Sequence, residues 1–175
     1  MNPFDHLDPM GTVMMMFVGF GWAKPVPVNL HAVQRRTPAG IMLVSLAGPL
    51  SNMLMAVFGA IFIRGGWVPY FAPSGEVLPS LSYVIHEFVW VNIALMLFNL
   101  IPVFPLDGEK IIYYFLAPAG QRLLDQIRPY GKLILLAMVF LGPRLSVDIL
   151  GGILYGPLND LYRTLLPVQF PPLLP

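Results

Sequence analysis

The stretch AGIMLVSLAGPLSNMLMAVFGAIFI, residues 39–63, runs for 25 residues without a single charge. Few folds can take such a segment. As a helix rising 1.5 Å per residue it reaches about 37 Å, enough to cross a bilayer with some tilt. A second apolar run covers 81–104, with Pro102 and Pro105 marking its end. A third stretch, 132–158, is apolar in two blocks broken by GPR and by Asp148, and reads as one broken span. Hydrophobic residues make up 57% of the chain and charged residues 11%. A soluble domain of this length has no core large enough to hide that much apolar surface. The expected fold is an all-α multi-pass membrane protein with about three transmembrane helices.

Ahead of the first span lie two unusual pieces. Residues 10–22, MGTVMMMFVGFGW, are apolar but too short for a full crossing of about 20 residues. They suit a short or re-entrant segment, and Met14–Met16 suit packing filler. Residues 23–38, AKPVPVNLHAVQRRTP, carry three prolines, which favour an extended loop. The start, MNPFDHLDPM, is acidic and Pro-rich and lacks the pattern of a secretory signal. It reads as a loop, hence as a truncated start. The 175 residues are expected to form one membrane-embedded domain: 1–38, then spans 39–63, 81–104 and 132–158. A short amphipathic helix is expected over 109–117 and a polar, basic connection over 118–131.

Basic residues orient the spans. Loop 23–38 holds Lys24, Arg35 and Arg36, and loop 105–132 holds Lys110, Arg122, Arg128 and Lys132, against Arg64 alone in loop 64–80. The first two loops are therefore assigned to the cytoplasm of a cell-membrane protein. Trp67, Tyr70 and Tyr83 suit an interfacial belt. A net charge of +1 gives no case for nucleic-acid binding. The absence of cysteine excludes disulfides and thiolate metal sites within the chain.

Asp107, on the Gly turn of NLIPVFPLDGEK, is the acid that most needs explaining. It is either a helix N-cap or one ligand of a metal site. An acid at the bilayer centre costs about 2.5–3.5 kcal/mol, so either role has to compensate it. His86 and Glu87 invite comparison with H-E-x-x-H, but Trp90 stands where the second histidine belongs. The pair is assigned a structural or interfacial role. Asn52 and Asn99 are either interhelical hydrogen-bonders or donors to a substrate backbone or oxyanion.

Four segments in order carry a resemblance: HLDPMGT (6–12), GFGWAKPVPVN (19–29), LAGPLSNMLMA (46–56) and FNLIPVFPLDG (98–108). Together they resemble the site-2 protease family of intramembrane zinc metallopeptidases, in its compact bacterial branch. The likeness is best over 2–115. It implies zinc as cofactor, transmembrane proteins as substrates and hydrolysis within or near the bilayer. It implies that Asp107 is the metal ligand of the L-D-G motif, that Asn52 and Asn99 belong to the substrate-binding region, and that KPVPVN is an edge for an unwound substrate. The family's H-E-x-x-H, with two zinc ligands and the general base, does not occur among these residues. Phe104, where the family commonly has proline, and LHAVQRR, which lacks a proline after Asn29, are smaller departures. The chain is thus expected to be inactive alone. The alternative is a non-catalytic membrane-embedded binding or regulatory paralogue. A transporter subunit with Pro-broken helices is a weaker third reading, since no inverted repeat is seen.

Overall fold

The computed structural model describes residues 37–68, 80–144 and 149–166. All helices below belong to one compact unit, Pro38–Pro175. The apolar run 10–22, the extended segment 23–38 up to residue 36, His6, His31, Tyr70 and Asp148 lie outside the described residues.

Helix α1 spans Gly40–Arg64 and α2 spans Leu81–Asn99. These are the two helices, among the described residues, long and apolar enough to cross a membrane. The two faces of α1 differ in size rather than in polarity. The inward face of α1 is mostly small: Gly40, Ser45, Pro49, Ala56, Gly59 and Ala60, with Ile63 at its end. Its outward stripe is large, with Leu43, Leu50, Leu54, Phe58 and Ile61 each at least half exposed. A helix apolar all round needs hydrocarbon on the side its own protein does not cover. Small residues let the backbones approach. A Cβ on Gly59 would stand 2.9 Å from Val89 Cγ2, so α1 and α2 meet there with no room to spare.

Helix α2 starts on a Ser80 cap, whose hydroxyl accepts from the Tyr83 N–H at 3.2 Å. It stops at Asn99, five residues short of the expected 104. The chain then turns through 100–106, with Val103 N–H donating to Ile101 C=O and Leu106 N–H to Val103 C=O. Pro102 and Pro105 offer no N–H, so the helical ladder has no continuation there. The Phe104–Pro105 peptide is cis.

Helix α3 spans Asp107–Phe115, two residues earlier at each end than expected. The connection expected over 118–131 is itself helical. Helix α4 spans Pro118–Ile127 and a 3-10 turn covers Arg128–Tyr130. Pro118 sits in the first turn of α4, where its missing N–H costs nothing. The expected broken span becomes two helices, α5 (Gly131–Arg144) and α6 (Ile149–Leu165). Helix α6 runs seven residues past 158 because Leu158 and Tyr162, one turn apart, are both buried in the core. That core joins Ala56, Ala60 and Ile63 of α1 to Val89 and Ile93 of α2 and to Leu158 and Tyr162 of α6. No strand occurs among the described residues.

Candidate functional site

Asp107 does not cap its helix. Leu106 occupies the N-cap position, in an extended conformation and without a side-chain cap bond. Asp107 is the first helical residue, where its charge complements the positive end of the helix dipole. Its Oδ1 pairs with Lys110 Nζ at 3.1 Å. Its Oδ2 faces α1, lying 3.3 Å from where a Cβ on Gly48 would stand. The carboxylate of the PLDG turn therefore rests against the glycine of AGPLSN, 59 positions away along the chain (107 − 48). The Asp107 side chain keeps 31% of its surface open.

Two glycines create this geometry by close backbone approach. A Cβ on Gly108 would fall 2.2 Å from the Leu100 carbonyl oxygen, and one on Gly131 would fall 2.6 Å from that of Phe104. The start of α3 is thus laid on the end of α2, and the start of α5 on the turn just before Asp107. Asn99, half-buried, is the last residue of α2 and immediately precedes the carbonyl that Gly108 touches. Asn52, also half-buried, follows Gly48 by one turn on α1, about 6 Å along the axis. Asp107 thus lies against Gly48 of α1, Asn99 lies at the end of α2, and Asn52 stands at the middle of α1. The interhelical side-chain hydrogen bonds expected of Asn52 and Asn99 are not among those seen between described residues. Asn92 instead bonds back along its own helix, Nδ2 to Phe88 C=O at 2.8 Å.

A charged clamp holds α3 from the other side. Glu109 is buried, and both Nη2 and Nε of Arg128 donate to its Oε1, at 2.6 and 3.1 Å. Arg128 Nη1 reaches Asp125 Oδ1 at 3.1 Å, and the Tyr113 hydroxyl donates to Asp125 Oδ2 at 3.2 Å. The guanidinium lies 5.2 Å over the Tyr113 ring. Hydrogen bonding to Glu109 raises the pKa of Arg128, with desolvation opposing it. Neither Glu109 nor Arg128 stood out in the sequence. They are 19 residues apart, and no short spacing links them.

His86 takes the structural role assigned to it. It is buried, and its Nδ1 lies 2.6 Å from the Tyr162 hydroxyl of α6. The described residues contain no group of three His, Cys, Asp or Glu able to hold a metal. They do not by themselves make a metal site.

The profile of Peptidase family M50 matches residues 65–142, a stretch that includes the PLDG turn and the clamp. The chain is 38% identical over 142 residues to "Putative zinc metalloprotease YwhC" of Bacillus subtilis, covering 79% of this chain and 63% of that protein. Rip2 of Mycolicibacterium smegmatis, which carries the same description, is 29% identical over 79% of this chain and 52% of its own length. Rip3 of Mycobacterium tuberculosis, again so described, is 30% identical over 70% of this chain and 30% of its own length. The chain thus spans less than two thirds of each of these relatives. No solved structure matches.

Proposed function

Since the chain belongs to peptidase family M50, the membrane-embedded site-2 protease family, we propose that it is the ligand-bearing bundle of a zinc metalloprotease that cuts membrane proteins within or near the bilayer. The observation that carries this reading is the seating of the Asp107 carboxylate on Gly48. It joins the two family-like segments that are described, LAGPLSN and FNLIPVFPLDG, at one place. One carboxylate oxygen points toward the bundle, and the other is held by a lysine that a stronger cation can displace. In this reading Asp107 gives one zinc ligand, and Asn52 and Asn99 hold the backbone of an unwound transmembrane substrate beside it. The remaining ligands and the general base lie outside the described residues. The connection 105–132, with α3 and α4, faces the cytoplasm, where water reaches the carboxylate.

Because H-E-x-x-H does not occur in the 175 residues, this chain alone binds zinc weakly and leaves peptides intact. Metal analysis of the purified chain tests the ligand count, and tight stoichiometric zinc would refute it. In the full-length protein, Asp107→Ala abolishes both bound zinc and cleavage of a transmembrane reporter. Asn52→Ala and Asn99→Ala keep the zinc and slow cleavage. Full zinc and full cleavage in Asp107→Ala would overturn the assignment.

A further inference from the structure

Helix α4 is amphipathic, and it is turned the opposite way from a helix on a soluble protein. Its polar arc carries Gln121, Arg122, Asp125 and Gln126, and its apolar arc carries Ala119, Leu123, Leu124 and Ile127. One edge of the polar arc meets the protein: Gln121 Nε2 donates to the Tyr113 carbonyl at 3.1 Å, and Asp125 accepts from Tyr113 and pairs with Arg128, while Arg122 and Gln126 are exposed. Of the apolar arc, Ala119, Leu123 and Ile127 are left outside and Leu124 is half-buried. No residue of α4 is buried, and Leu123 is 57% and Ile127 42% exposed. Phe115 and Tyr130, on either side of α4 in the chain, are among the most exposed large side chains.

We propose that α4 is a monotopic anchor lying in the headgroup layer of a bilayer containing anionic lipid, with Leu123 and Ile127 in hydrocarbon. Three observations select lipid as the occupant. Ten residues make a helix of about 15 Å, half of the hydrocarbon thickness of about 30 Å, so α4 lies on the membrane rather than through it. Large apolar exposure is found on α1 and α2 as well, whose outward faces already need hydrocarbon. Arg128 is shared by Glu109 and Asp125, and with exposed Arg122 and Lys132 the three cations and two acids sum to +1, the sign that anionic headgroups attract. The anchor has a consequence for the site. The α4 helix and its 3-10 extension grip α3 through the Glu109–Arg128 and Tyr113–Asp125 contacts, so the depth of α4 sets the depth of Asp107.

The inference rests on the membrane placement of α1 and α2 proposed above, and a separate set of probes reports on that placement. The chain has no cysteine, so single cysteines carry nitroxide labels without background. The 175-residue chain is reconstituted in phosphatidylethanolamine–phosphatidylglycerol vesicles. Labels at Leu123→Cys and Ile127→Cys then show oxygen accessibility several-fold above that to a water-soluble nickel chelate, and Arg122→Cys shows the reverse. Labels at Leu54→Cys and Phe58→Cys on α1 show oxygen dominance whatever α4 does. Nickel dominance at 123 and 127 with α1 still lipid-exposed overturns the anchor alone. Immobilised labels at 123 and 127 overturn it in favour of a protein contact, and release on dilution with unlabelled chain identifies a second copy. Loss of oxygen dominance on α1 overturns both the anchor and the membrane placement.

Discussion

Arg128→Ala tests the physical logic that fixes the candidate ligand. The Glu109 side chain is 4% exposed and Arg128 40% exposed. Removing the cation from a fully buried pair costs about 3–5 kcal/mol, because the acid stays behind without its charge partner. Arg128 is partly in water, so solvent enters the space it leaves, and the expected loss falls to about 2–3 kcal/mol. Glu109→Gln is milder, about 1 kcal/mol. It removes the buried charge, while the guanidinium keeps Asp125, the Tyr113 ring and water. Arg128→Lys also costs about 1 kcal/mol, since an ammonium cannot place two donors on Oε1 as the planar fork does. The double variant Glu109→Gln/Arg128→Ala is then more stable than Arg128→Ala alone. Unfolding in mixed detergent micelles, followed by loss of helical circular dichroism, gives the four free energies. A Glu109→Gln loss equal to or above that of Arg128→Ala, or a strictly additive double variant, would refute the assignment of the clamp as a buried acid held by its arginine.

Gly108→Ala and Gly131→Ala each drive a methyl onto a backbone carbonyl and lose about 3 kcal/mol, while Gly152→Ala, with no atom within 4 Å of its new Cβ, gains about 0.5–1 kcal/mol of helix stability; the same micelle titration reads all three. Tyr162→Phe removes a buried partner of His86 and costs about 1–2 kcal/mol, with no effect on zinc content in the full-length protein. The Tyr113 phenol ionises above its ordinary value of 10, through desolvation and then its bond to Asp125. Its folded-state value is raised, so the stability that bond lends is present below pH 10 and is lost as pH rises through the Tyr113 titration. The phenolate absorbance assigned by difference against Tyr113→Phe shows this, and Asp125→Asn brings the midpoint down.

The first two helices were legible because each is a mainly apolar run longer than any turn can hide; α1 moved by one residue from its expected bounds. The end of α2 was set by the prolines, but the turn before them took Leu100 and Ile101 as well. Helix α4 was missed because its average composition is polar. Its 3.6-residue pattern was present at Ala119, Leu123, Leu124 and Ile127, and its meaning depends on which arc meets the protein. Capping preference misread Asp107 for a related reason. Asp is a good N-cap where the chain enters a helix freely, but here Leu106 takes the extended cap conformation and the acid falls one place inside the helix.

That single-place shift decides what the carboxylate can do. A capping aspartate turns its oxygens back onto the amides of its own helix and is spent on them. At the first helical position those amides are left to other partners. The side chain can project sideways, one oxygen toward Lys110 and the other toward Gly48. Gly108 is what permits it, since no other residue lets the helix start that close to the Leu100 carbonyl. The glycine after the acid and the glycine of AGPLSN thus answer one requirement from two sides: the first brings the backbone in, and the second leaves open the space that the carboxylate enters.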